Sequence, residues 1–314
     1  MKSTDSIIFD ITRDVYEDIR HSIISSDPVI DDIIRQIFAQ RGKAMRPLFM
    51  ALCGNLVEGS WEALRKPAMI VEAIHIASLI HDDVVDGSDL RRGKETLNAR
   101  FSDKVSVLFG DYVFVKAFNI AHTICEPDVV RIIHRAVERM LEGEINEAIS
   151  GKIVDEETYL KIIGNKTASL FAASGELGII CSGADGIERK WAGELGESVG
   201  TAFQIIDDTL DFTGETEVMG KPRFVDVMSG RITLPVIFSL KDLPHDEIED
   251  IFADKDDSIE KITTLVRNNG GIDYSYEKAL EYSNKAQNIL ENFNNKEAIS
   301  VFEEFFDMLL TRAH

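Results

Sequence analysis

The chain has 314 residues, with 34 Lys+Arg against 55 Asp+Glu, and a formal net charge of −21 at pH 7. Its 44% hydrophobic and 28% charged residues are those of a folded globular protein and exclude intrinsic disorder. The acidic balance argues against a nucleic-acid binder, whose footprint is a basic face, and against docking by charge on an anionic membrane.

The first residues, MKSTDSIIFDITRDVYED, are mixed and acidic and lack an apolar h-region, so no signal peptide is expected. No apolar run long enough for a transmembrane helix follows. Cys53, Cys125 and Cys181 are far apart and form no CxxC pair. Neither a disulfide framework nor a zinc site is expected, and a reducing, cytoplasmic location is the simple reading.

The first strongly periodic segment is PAMIVEAIHIASLIHDDVVD (67–86), where Ile70, Ile74, Ala77 and Val84 recur every three or four residues. Pro67 reads as its helix start, and Asp155 as another. SVLFGDYVFVKAFNIAHTI (106–124) and WAGELGESVGTAFQIIDDTLDF (191–212) show the same period. Breaks at 54–60, 182–186, 213–222 and 268–271 have the lengths of loops in a helical domain. Sustained period-2 alternation, an Asn-Gly hairpin, a linker and a repeat are all absent from the sequence. The expectation is one all-α domain over residues 1–314, a bundle of roughly a dozen helices.

Two of these segments end in acidic clusters: Asp82, Asp83 and Asp86, then Asp207, Asp208 and Asp211. In each, the first and last Asp lie four residues apart and share a helix face. Like charges at that spacing cost about 0.2–0.5 kcal/mol per pair. Grouping them at the end of an apolar helix costs more, unless a cation neutralises them. A solvated acidic helix end accounts for one such cluster but poorly for two. Oxygen-only ligands select hard cations, and Mg²⁺ completes its shell with waters and substrate phosphates. Two facing clusters therefore suggest a diphosphate clamped through Mg²⁺.

In so acidic a chain, the basic groups are informative. They are Lys43 and Arg46 in GKAMRP, Arg91 and Arg92 in DLRRG, Lys166 beside Thr167 in NKT, Lys221 in GKP, and Arg231 in GRITLP. Arg forks match phosphate oxygens and Lys acts as a point charge, whereas a surface salt bridge is the bland alternative for each. His75 lies seven residues before Asp82 and shares roughly its face, which fits a phosphate contact and a core histidine equally.

GKAMRP, HDDVVDGSDLRRGKET, FQIIDDTLDFTGETEVMGKP and GRITLP, in this order from residue 42 to 235, resemble the trans-isoprenyl diphosphate synthase (polyprenyl synthetase) family. The resemblance implies an isoprenoid-synthase bundle around a deep central cavity, a homodimer, and three Mg²⁺ ions. It implies condensation of isopentenyl diphosphate, head to tail, with an allylic diphosphate to give an all-trans polyprenyl diphosphate. By carry-over, Asp82, Asp86 and Asp207 bind metal and Asp83, Asp208 and Asp211 support them. Arg91, Lys166 and Lys221 hold the allylic diphosphate. Lys43, Arg46, His75 and Arg92 hold isopentenyl diphosphate. Thr167 and Gln204 stabilise the carbocation.

Two positions depart from the family pattern. Phe224 stands where GKPxGxDL has glycine, and Arg231 stands where GKxTLP has lysine, so the 220–231 loop is in question. One turn below Asp82, Ala77 and Ser78 are small where short-chain enzymes of the family carry a bulky aromatic, and Ile74 follows below them. Phe109, Tyr112, Phe114 and Phe118 on a facing helix are candidate floors of the channel, or ordinary core. The analogy suggests a product of about six to ten isoprene units, which helix geometry alone does not fix. A short-chain farnesyl or geranylgeranyl synthase, a class I terpene cyclase and a non-catalytic subunit are the competing readings. The cyclase would carry an NSE-type second motif in place of DDTLD. The non-catalytic subunit draws support only from Phe224.

Overall fold

A computed structural model of the chain describes residues 4–39, 41–91, 93–124, 126–150, 155–214, 224–229, 231–253 and 255–310. The chain opens with α1 (Thr4–Ser22), α2 (Pro28–Ile37), α3 (Met45–Leu56) and α4 (Trp61–Val85). A two-residue antiparallel pair follows, β1 (Leu90–Arg91) and β2 (Lys94–Glu95), with Leu90 opposite Glu95. Next come α5 (Leu97–Arg100), α6 (Asp103–Ala121), α7 (Pro127–Ile149) and α8 (Glu156–Ile163). A π-helical turn, Gly164–Ala168, leads into α9 (Ser169–Ile180) and α10 (Ile187–Thr213). The remainder is α11 (Val225–Ser229), α12 (Leu234–Leu240), α13 (His245–Ala253), α14 (Lys255–Asn268), α15 (Gly271–Leu290) and α16 (Lys296–Leu310). The all-α expectation holds.

Side-chain caps explain where many of these helices begin. Asp27 accepts the Val29 and Ile30 amides, with Pro28 at the first helical position of α2. Ser102 starts α6 by accepting the Val105 amide, and Asp155 starts α8 through Thr158, as the sequence suggests. Pro67 is a correction. The helix already begins at Trp61, because Ser60 accepts the Ala63 amide, and Pro67 is buried in its second turn. The serine cap lies upstream of the proline and sets the start. The 106–124 and 191–212 segments prove to be α6 and α10, each starting three or four residues earlier than its periodicity suggests.

Helix α9 is apolar all round and buried along nearly its whole length, so it forms the centre against which α3, α7 and α10 pack. Its contact with α10 is backbone to backbone: a Cβ on Gly175 would lie 2.2 Å from Ala192 O. One apolar core joins residues from Ile11 on α1 to Leu309 on α16. A second, smaller core gathers Phe212, Val227, Val236, Leu240, Ile262 and Val266, and so seats residues 224–229 and 231–240 against the end of α10. This arrangement leaves the C-terminal ends of α4 and α10, and the segment around Arg231, at one site.

Candidate functional site

Both acidic clusters occupy helix C-termini. Asp82 and Asp83 lie in the last turn of α4, and Asp86 is its C-cap residue. Asp207, Asp208 and Asp211 fill the last two turns of α10. Neither helix has a basic residue in its last turn. A helix C-terminus carries about half a negative charge and stabilises cations, so six carboxylates there invert the usual preference. Burial lifts the Asp82 carboxyl to about 7, with Glu144 and Asp86 pushing the same way against Lys166 and Arg91.

Protein groups tie down part of each cluster. Arg91, on β1, donates from Nε to Asp83 Oδ1 at 2.7 Å. The hairpin that follows α4 thus folds the arginine back onto its own cluster. Asp208 is buried, accepting from the Tyr159 hydroxyl and from Gln204 Nε2, both at 2.7 Å. Burial, with Asp226 and Asp207 nearby, pushes its carboxyl well above the usual range. Thr167 Oγ1 donates in turn to Gln204 Oε1 at 2.7 Å. Thr167, Gln204, Asp208 and Tyr159 form one hydrogen-bonded chain.

Arg231 joins the two clusters. Its Nη2 is 3.2 Å from Asp86 Oδ2 and 3.1 Å from Asp226 Oδ1. The Asp226 amide donates to Asp211 Oδ2 at 3.3 Å. A continuous polar path therefore runs from the end of α4 to the end of α10. Burial opposes the Arg231 charge, but Asp226 and Asp86 outweigh it and raise its pKa. Its Nε is buried with no hydrogen-bond partner among the described residues. Phe224, which precedes α11, adopts φ 62, the left-handed backbone that glycine favours at this place in the motif. Its amide donates to Asp211 O at 3.3 Å, and its ring meets Phe212 edge-on at 5.9 Å. The phenylalanine keeps the glycine conformation at a cost of about 1 kcal/mol or more.

Lys166 sits on the π-helical turn, a form often found at functional sites. Its Nζ lies 2.6 Å from both Glu144 and Glu147 on α7. Burial works against its charge, but Glu147, Asp82 and Glu144 outweigh it and raise its pKa. Gly143 makes the approach possible, since a Cβ there would lie 2.6 Å from Lys166 N. Arg46, at the start of α3, is buried over the Phe171 ring at 5.0 Å. Its Nε finds no hydrogen-bond partner among the described residues. Burial lowers its pKa to about 10, opposed by Glu72, Asp207 and Asp82, so it remains a cation at neutral pH. Lys43 is exposed beside it and His75 is partly exposed on α4. Arg92, Lys221 and Cys125 lie outside the described residues.

On α4, Leu79, Ser78 and His75 remain partly exposed below Asp82, whereas Ala77 and Ile74 are fully buried. Ser78 therefore lies on the side of α4 that Asp82 opens. Phe109 is core, and Phe114 packs on His81 at 5.7 Å. A groove of about 490 Å³ lies between α7, α9 and α10, away from the aspartates, lined by Arg135, Arg139, Arg189 and Glu176. Glu144, Glu147, Tyr159 and Asp226 escaped the sequence reading. Asp226 could have been found as the acid of GKPRFVDV, while the other three carry no local signal. All-oxygen donors at two negative helix ends fit a hard divalent cation. Among the described residues no three such side chains converge as a preformed cage.

Comparison with known proteins gives four findings. A family model described as Polyprenyl synthetase matches residues 27–268. The chain is 36% identical over 301 residues to solanesyl diphosphate synthase 2, chloroplastic, of Arabidopsis thaliana, across 91% of this chain and 71% of that one. It is 31% identical over 310 residues to heptaprenyl diphosphate synthase component 2 of Geobacillus stearothermophilus, across 95% and 94%. Its fold matches a polyprenyl synthase of Caulobacter crescentus, solved with calcium and isoprenyl diphosphate, with TM-score 0.91 and 30% identity over 99% of this chain and 98% of that one.

Proposed function

The chain belongs to the polyprenyl synthetase family, and from that premise we propose how its own residues divide the work. It is a prenyl transferase, a medium- or long-chain polyprenyl diphosphate synthase like the relatives it matches. Its substrates are isopentenyl diphosphate and an allylic diphosphate. The observation that carries the division of roles is the Arg231 bridge from Asp86 to Asp226 and on to Asp211, which ties both acidic helix ends into one site.

Asp82, Asp86 and Asp207 hold Mg²⁺, three ions to a site. Asp83 and Asp208 already serve protein partners and, with Asp211, orient the rest. Mg²⁺ held there would supply Lewis-acid charge for the leaving diphosphate. Arg91, Lys166 and Lys221 hold that diphosphate, exchanging Asp83, Glu144 and Glu147 for its oxygens, and Arg231 meets it without releasing Asp86. Thr167 and Gln204 present oxygen lone pairs to the allylic cation. Lys43, Arg46, His75 and Arg92 seat isopentenyl diphosphate so that its double bond faces the cation. The π electrons form the new carbon–carbon bond. Loss of a proton to the departing diphosphate restores the alkene. The growing chain passes Ser78, on the side of α4 that Asp82 opens, while the buried Ala77 and Ile74 back that wall.

The molecule works as a homodimer, through an apolar face that one copy leaves open. On α7, Leu141, Ile145 and Ile149 repeat every four residues and stay exposed, Ile149 by 73%. On α6, Val107, Leu108 and Val115 are exposed too. Exposed apolar stripes of this kind mark interfaces. No described helix is long and apolar enough to cross a membrane. A cytoplasmic site of action completes the proposal.

The test is incorporation. Purified protein with Mg²⁺, farnesyl diphosphate and labelled isopentenyl diphosphate yields products longer than farnesyl after dephosphorylation. A folded protein that incorporates none overturns the reading, and a cyclised product would favour a terpene cyclase.

A further inference from the structure

Helix α1 carries none of the motifs, yet it grips the segment that presents Lys43 and Arg46. Tyr16 is 1% exposed, inside the core. Its hydroxyl donates to Glu72 Oε1 at 2.8 Å and accepts the Gly42 amide at 2.8 Å. One turn on, Arg20 Nη2 donates to Phe38 O at 3.3 Å. Both sides of the α2–α3 connection are thus fixed to one helix. Two residues after the Gly42 tether, Ala44 takes φ 46 and ψ 46. A residue with a side chain holds that conformation only where its surroundings over-determine it. Glu72 is 2% exposed, and its charge is the one that most supports the buried Arg46 cation.

We propose that Tyr16 is a positioning residue for isopentenyl diphosphate: its hydroxyl clamps the Gly42 amide to the Glu72 carboxylate and so fixes where Lys43 and Arg46 stand. The inference rests on the proposed assignment of Lys43 and Arg46 to that diphosphate. Tyr16 touches no reacting atom. Its loss acts on the capture of one substrate, leaving ionisation of the other intact.

Tyr16→Phe keeps the ring and the core volume and removes only the hydroxyl. In the full-length protein, Kd and KM for isopentenyl diphosphate rise about five- to tenfold, the size of one lost hydrogen-bond pair. KM for the allylic diphosphate and kcat stay within about twofold. Hydrogen exchange at the Gly42 amide accelerates. Glu72→Asp, which keeps the charge but shortens the reach to Tyr16, raises both isopentenyl diphosphate constants and speeds exchange in the same way. A merely structural role lowers the melting temperature and leaves the ratio of the two KM values unchanged, and that outcome overturns the proposal. Unaltered exchange at Gly42 does so as well. A wild-type protein that binds isopentenyl diphosphate in a calorimeter without consuming it sinks the proposed activity. The calorimetric and exchange readings on the variants still decide the clamp.

Discussion

Arg231 shows how one side chain decides the geometry of a site. One guanidinium nitrogen, Nη2, reaches Asp86 and Asp226 at once, set at the end of a longer and more rigid arm than a lysine's. Arg231→Lys should lower kcat/KM about tenfold, because the two helix ends are no longer held by one group. Steady-state kinetics over a range of Mg²⁺ concentrations checks this. Asp82 supplies a second case, with a definite sign. Its carboxyl titrates near 3.8 in the unfolded chain and at about 7 in the folded one. The folded state therefore binds the extra proton, and the metal-free protein loses stability as pH rises between those values. Asp82→Asn should melt higher than wild type at pH 8 in EDTA, and the gap should close below pH 4. A gap that persists unchanged at low pH would show that packing, not ionisation, separates the two proteins.

Elements differ in how openly the sequence declares them. Helices α6 and α10 follow from their period, because both have one face on the core. The start of α4 does not, because the Ser60 cap outweighs a proline that reads as a boundary. The six aspartates were legible because each cluster closes an apolar helical run and its first and last members share a face. Glu144 and Glu147 were not. They reach Lys166 only because Gly143 lets α7 lie on the π-helical turn. That contact makes a prediction. Gly143→Ala places a Cβ against backbone at 2.6 Å, so the turn that carries Lys166 and Thr167 must shift. We expect at least a tenfold loss of kcat with little change in melting temperature, since the strain falls on a turn rather than on the core. On α4, Ser78→Phe puts a ring on the side that Asp82 opens and should shorten the product. Chromatography of the dephosphorylated chains reads this directly. A product of unchanged length would place the growing chain elsewhere.

At the scale of the whole molecule, the apolar stripe on α6 and α7 and the acidic ends of α4 and α10 pull in different directions. The stripe asks for a second copy, and Ile145→Glu should leave a folded monomer by sedimentation, with reduced activity. The acidic ends bear on how the reaction begins. Seen by an approaching anion, the molecule is a −21 body whose site lies between two helix ends of the same sign. The cations that would attract it, Arg91, Lys166 and Arg231, are already engaged by carboxylates. Long-range steering, which speeds capture for most enzymes of charged substrates, here slows it. Bare diphosphate should arrive faster as salt screens the field, the opposite of the usual salt effect. A diphosphate already wearing its cation meets a smaller barrier. Encounter, before any chemistry, selects the chelated form of the substrate.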